Sequence, residues 1–281
     1  MNLRRNARTR TRLACAALTP VLALAIGAGH AAGPASPAGP ASPASQPIGP
    51  GGSWKLTFDD EFSGSHLDTS TWATGWFGSG ITGPVNASEQ ECYAPGQVSV
   101  SGGTLNITVA KSSCTAAGKT YPYRSGLISS NPSSGAPNQP STGFQQAYGF
   151  FQARIYLPGS SGTIDNWPAW WTDGQNWPTD GEMDVLEGLG GQACYHFHSP
   201  AGGPGGCASG SFTGWHTYGA DWQPGSVTYY YDGKTVGTIT TGITSAPMYL
   251  ILNDAVSSTI GGPSRPATMK VAYVRVWTKK A

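Results

Sequence analysis

The run Val227-Thr-Tyr-Tyr-Tyr231, Asp232-Gly233, Lys234-Thr-Val-Gly-Thr-Ile239 decides the fold class of this chain. Two alternating, β-branched and aromatic segments flank an Asp-Gly pair, and that pair supplies the tight turn of an antiparallel hairpin. Working outward, similar short runs recur between Gly, Pro, Asn and Asp. Leu105-Asn-Ile-Thr-Val109 alternates strictly. Phe150 to Leu157, Pro247 to Leu252 and Val271 to Trp277 are further strand-like runs. Helical periodicity is nearly absent. About a dozen such strands, joined by turns, predict an all-β chain of two packed antiparallel sheets, a β-sandwich or jelly roll.

Composition bounds the function. Only 11% of residues are charged, against about 25% in an average protein. Arg4, Arg5, Arg8, Arg10 and Arg12 precede an apolar stretch from Leu13 to Gly27, with Gly29 and Ala31 as small residues for cleavage. This reads as an export signal over 1–31, because a membrane span needs about 20 apolar residues. Residues 33–38 and 39–44 repeat Gly-Pro-Ala-Ser-Pro-Ala. The expectation is a disordered linker over 32–52, followed by one globular domain over 53–281. Without the five signal arginines, 11 basic residues face 15 acidic ones, a balance of −4. Nucleic acid is thereby disfavoured as a partner, since phosphate binding needs a basic face. An extracellular monomer that stays off the membrane after signal removal is expected. Cys92, Cys114, Cys194 and Cys207 remain after export, and an even number suggests two disulfides. Three connectivities are possible; Cys92–Cys114 and Cys194–Cys207 close the shortest loops.

The chemistry concentrates in Asp180-Gly-Glu-Met-Asp-Val-Leu-Glu-Gly188. On a regular strand Glu182 and Asp184 share a face and Glu187 points the other way. One β-bulge at Val185-Leu186 would bring all three carboxylates to one face, with Met183 and one of Val185 and Leu186 in the core. Three like charges on one face cost stability, but paired carboxyls push each other's pKa values apart. Glycosidic cleavage needs such a pair, one acid and one carboxylate flanking the sugar. Four pleat steps separate the Glu Cα atoms by about 13 Å, so the side chains must lean together, and spacing alone does not decide between retention and inversion.

Around this strand the sequence resembles glycoside hydrolase family 16, most closely its laminarinase-like bacterial members. The resemblance runs through nearly all of 54–278. It rests on Phe58-Asp-Asp-Glu-Phe62, Glu89-Gln-Glu-Cys-Tyr93, Tyr123-Arg-Ser-Gly-Leu-Ile-Ser129 and Tyr148-Gly-Phe-Phe-Gln-Ala-Arg-Ile155. Most specific is the ordered set Trp167-Pro-Ala-Trp-Trp171, Trp177-Pro178 and Gly181-Glu-Met-Asp-Val-Leu-Glu187. The resemblance implies a concanavalin-like jelly roll with an open cleft and a retaining reaction. It makes Glu182 the nucleophile, Glu187 the acid and then base, and Asp184 the residue that tunes Glu182. The implied substrate is a β-glucan, foremost β-1,3-glucan of the laminarin type. Mixed-linkage β-1,3-1,4-glucan and β-galactan are the alternatives, and a non-catalytic lectin-like protein is the alternative of another class. No cofactor is required; the resemblance allows a structural calcium, but Ala272 stands where many members have an Asp for it. The stretch from Gly75 to Ala87 also departs from the pattern and leaves the linkage open.

Supporting residues follow. Trp167 and Trp171 share one strand face and, with Trp177, are expected to offer rings to sugar faces. His198 matches a His that lies close to the acid/base, and His196 shares its face. Glu89, Asn86 and Arg124 are candidates for sugar hydroxyls. No metal site is expected, because His196 and His198 lack a third ligand at convincing spacing along the chain.

Overall fold

A computed structural model describes residues 46–78, 80–132 and 142–280. The expected signal segment and the linker up to residue 45 lie outside the described residues. No described helix is long and apolar enough to cross a membrane.

The hairpin forms as Ser226–Tyr231 and Lys234–Ile239. Asp232 and Gly233 both take positive φ, +47° and +74°, the conformation that a two-residue turn matching strand twist demands. From there the strands assemble into two sheets of eight. The back sheet runs Lys234–Ile239, Ser226–Tyr231, Gly214–Gln223, Gly149–Leu157, Ala267–Lys279, Thr104–Val109 and Val98–Ser101, with Trp54–Asp60 also paired to Ala267–Lys279. The front sheet runs Gly205–Cys207, Gln192–His198, Glu182–Leu189, Trp167–Asp173, Met248–Ala255, Leu127–Ser129 and Ala73–Thr74, with Gln145–Gln146 also on Met248–Ala255.

Alternation fixes which residues meet between the sheets. Phe151, Ala153 and Ile155 of the back sheet and Trp170, Met183, Leu250 and Leu252 of the front sheet join one apolar core. The back sheet also reaches across that core with hydroxyls. Tyr229 donates to the His196 carbonyl at 2.6 Å. The Tyr231 hydroxyl lies 2.7 Å from the Cys194 carbonyl and 3.1 Å from that of Val185. These buried phenols satisfy strand carbonyls that water does not reach.

Cys92–Cys114 and Cys194–Cys207 are both disulfides. The last residues of the expected linker behave differently from a free tail. Gln46 exchanges hydrogen bonds with the Trp54 backbone, and Gln152 donates to the Ile48 carbonyl. The ordered edge of the domain therefore begins before Ser53: a glutamine amide can both donate and accept, and so extends the strand pairing of Trp54 by one more partner.

Candidate active site

The outer face of the front sheet carries an open cleft of about 620 Å³. Glu182–Leu189 forms its floor. Against Trp167–Asp173, Trp171 pairs with Asp184 and Trp170 with Leu186, so Val185 is the extra residue of a bulge. Against Gln192–His198, Val185 and Leu186 together stand opposite Tyr195. The bulge restores Glu187 to the face of Glu182 and Asp184, and all three line the cleft. Both Val185 and Leu186 are fully buried in the core, rather than one of them. Two residues filling one pleat position turn both side chains inward.

Each carboxyl has its own surroundings. Glu187 accepts from the Trp167 indole at 3.0 Å through Oε1, and its Oε2 lies 3.0 Å from His196 Nδ1. His198 Nε2 stands 3.1 Å from Asp184 Oδ2 and 4.0 Å from Glu182 Oε1. This corrects the expectation for the histidines. His198 lines the cleft but serves the Glu182–Asp184 end, and His196 is the neighbour of Glu187. The bulge is the cause: it shifts the register, so that His196 falls opposite Asp184 and the next step reaches Glu187.

Burial first, and then the charge of Asp184, push Glu182 up to about 9, and the nearby His198 and the Trp177 indole offset only part of this. Asp184, 4% exposed, is raised well above its usual range, by burial and then by Glu187 and Asp173. Two adjacent carboxyls in so dry a place keep one proton between them at neutral pH.

Sequence reasoning missed one further carboxyl of the cleft. Asp173 faces the cleft, stands opposite Glu182 in register and accepts from the Tyr249 hydroxyl at 3.0 Å. Burial, its first cause, raises it to about 7. The signal was present: Trp167, Ala169, Trp171 and Asp173 follow one alternation along the strand, with Asp173 two residues past Trp171.

The aromatic expectations divide by exposure. Trp167 and Trp171 line the cleft as placed, but they are nearly buried, and their indoles donate to Glu187 and Asn253. Trp177 is 60% exposed and is the free ring surface, joined by Phe77 at 46%. Asn86 and Glu89 line the cleft as well. Glu89 is buried, and its Oε2 takes the Val85 amide and the Tyr93 hydroxyl at 2.9 Å each. Tyr93 in turn receives Asn253, which holds Trp171. Glu89 thus props the wall that carries Val85. Arg124 is not among the residues lining the cleft: it donates twice to the Ser113 carbonyl. Alternation is again the reason, since Ser125 turns inward to the Asp254 carbonyl and sends its neighbour outward.

A family model described as glycosyl hydrolases family 16 matches residues 86–257. The chain belongs to glycosyl hydrolases family 16. Among curated relatives, an endo-1,3-1,4-beta-glycanase of Rhizobium meliloti is 30% identical over 257 residues, 80% of this chain and 52% of that one. A glucan endo-1,3-beta-glucosidase of Niallia circulans is 30% identical over 276 residues, 80% of this chain and 38% of that one. The chain spans about half or less of the length of these relatives. Among solved structures of the family's fold, the laminarinase catalytic domain of Thermotoga petrophila superposes with a TM-score of 0.67 at 24% identity, over 82% of this chain and all of that one. The endo-beta-1,3-glucanase of Pyrococcus furiosus gives 0.66 at 26% identity, over 81% and 95%. The jelly-roll fold expected from the sequence is the fold of this family.

Proposed function

We propose that the chain is a secreted, retaining endo-β-glucanase that cleaves β-1,3-glucan of the laminarin type. The observation that carries this reading is the bulged strand. It sets Glu182, Asp184 and Glu187 on one face, at the floor of a cleft open enough for a polymer. Stability alone does not favour such a triad; acid/base chemistry on a glycosidic bond uses it. The names of the relatives, endo-1,3-1,4-beta-glycanases and a glucan endo-1,3-beta-glucosidase, support a β-glucan substrate, and the two disulfides fit an oxidising destination.

In the first step the Glu182 carboxylate attacks the anomeric carbon while Glu187 gives its proton to the departing glycosidic oxygen. A glycosyl ester forms and the glycosidic bond breaks. In the second step Glu187, now ionised, takes a proton from water, the water oxygen bonds to the anomeric carbon, and Glu182 leaves as carboxylate. Asp184 shares one proton with Glu182 and takes it when the nucleophile must attack as a carboxylate. His196 and the Trp167 indole fix the orientation of Glu187 at both oxygens. Trp177 offers a sugar-sized apolar face at the rim. No metal enters any step.

The test is digestion of laminarin, mixed-linkage glucan, xylan, agarose and β-1,3-galactan, beside a Glu182→Ala control, with the products separated by size. Oligosaccharides released from laminarin, and lost in the variant, are expected. Release from mixed-linkage glucan or the galactan alone would move the linkage. Silence of the folded protein on all five would return the chain to the lectin-like reading.

A further inference from the structure

We propose that Asp184, His196 and His198 form a binding site for a first-row transition ion of the zinc class, at the edge of the cleft that Asp184 and His198 line. The ligand atoms of these three residues lie within 4.8 Å of one another. The third donor that spacing along the chain does not supply thus comes from the neighbouring strand.

Several features prepare the site. Asp184 is 4% exposed, and no donor in hydrogen-bonding geometry satisfies its Oδ2, although His198 Nε2 is 3.1 Å away. The two imidazoles stack, with ring centroids 5.7 Å apart and planes at 28°. The turn Gly202-Gly203-Pro204-Gly205-Gly206, which the catalytic reading does not use, forms the wall behind them. A Cβ at Gly203 would stand 2.3 Å from His198 Nδ1, and one at Gly205 would stand 1.9 Å from His196 Cδ2. Only glycine lets backbone approach both rings so closely, and that wall turns them to the carboxylates. Glu187 at 3.0 Å from His196 Nδ1 adds an orienting carboxylate behind an imidazole, an arrangement common around zinc.

The donor set selects the ion. Two imidazoles and a carboxylate suit zinc, copper or nickel, whereas calcium takes about 6–8 oxygens. Metal–ligand bonds of about 2.0–2.2 Å require donors closer together than 4.8 Å, so one imidazole turns inward by roughly an ångström. His198, with 36% of its side chain exposed, has the room to do so. The cleft side stays open for water as a fourth ligand.

An ion held there ties up Asp184 beside the nucleophile and, with it, the His198 that faces Glu182. On the catalytic reading of this cleft, which this consequence rests on, metal and glycan exclude each other. Binding itself stands apart from that reading and is tested without substrate. The full chain, without a histidine tag, is titrated with Co²⁺ and read by visible absorption, then with Zn²⁺ by calorimetry. The expected result is one ion per chain, with ligand-field bands of a nitrogen–oxygen site that Zn²⁺ abolishes. His196→Gln and His198→Gln, each checked for folding by near-UV circular dichroism, should raise Kd at least tenfold. Absence of bands and heat up to millimolar metal overturns the proposal. So does binding that both substitutions leave unchanged.

Discussion

Both sheets bury charge on their outer faces, and they do it in opposite ways. On the back sheet Arg275 lies on Tyr273, 4.0 Å from the ring, with its Nε 2.6 Å from Glu61 and 3.3 Å from Asp59. A guanidinium sits among the carboxylates, although burial still pushes Glu61 up to about 7. On the front sheet Asp173, Glu182, Asp184 and Glu187 share one cleft with no arginine or lysine in its lining, and only His198 among its lining residues can carry positive charge. The first group is built for stability. The second leaves its carboxyls short of partners, and the fold must hold it in place by packing. What separates structure from chemistry here is not burial but whether the charge is answered.

The comparison can be broken at its back end. Arg275→Met should leave Asp59 and Glu61 unpaired and cost about 3–5 kcal/mol, read by denaturant unfolding. Turnover of the remaining folded enzyme should be unchanged. A loss of turnover without a loss of stability would show that the two faces are not independent.

The front face should respond in the reverse sense. Asp184→Asn replaces one of two crowded, buried carboxyls with an amide, so stability should hold or rise while kcat falls by roughly 10²-fold or more, as for loss of a group that serves proton transfer. Unfolding and turnover measured on the same preparation decide this. A variant that is both unstable and inactive would make Asp184 a structural residue.

The bulge links the two sheets. Tyr231→Phe withdraws the hydroxyl shared by the Val185 and Cys194 carbonyls and should cost about 1–3 kcal/mol. Because Val185 is the bulge residue, kcat should fall along with stability, more than KM rises. An effect on stability alone would mean that packing by itself sets the bulge.

Asp173 gives the smallest effect, and it depends on pH. Its folded pKa of about 7 is above the usual 3.8, so between these values the native state binds more protons than the unfolded chain. Its contribution is therefore complete below about pH 4 and is lost as pH rises through 7. Asp173→Asn should raise the melting temperature at pH 8 and leave it nearly unchanged at pH 4. Equal shifts at both pH values would contradict the assignment.

What the sequence made legible was local. The Asp232-Gly233 turn, the alternation of Trp167 and Trp171 and the two-residue gap between Asp184 and Glu187 each fix geometry within a few residues, and the hairpin, cleft face and bulge follow. Contacts made across strands were not legible. Whether His196 or His198 meets Glu187 depends on a register shift between two strands. Asn253 and Tyr249 reach the cleft only because their strand pairs with Trp167–Asp173. Arg124 was misplaced because its two-residue alternation begins from Ser125, whose partner lies more than a hundred residues away. Asp173 was within reach of the alternation and was passed over.

The proposed mechanism divides the labour between Glu182 and Glu187 across the bulge. The most direct measurement is azide rescue on an activated aryl β-glucoside oligomer, with the configuration of the glycosyl azide read by NMR. Glu187→Ala should regain activity with azide and yield the β-azide, by attack on an ester at Glu182, and Glu182→Ala should yield the α-azide. The reverse assignment of the two products would contradict it.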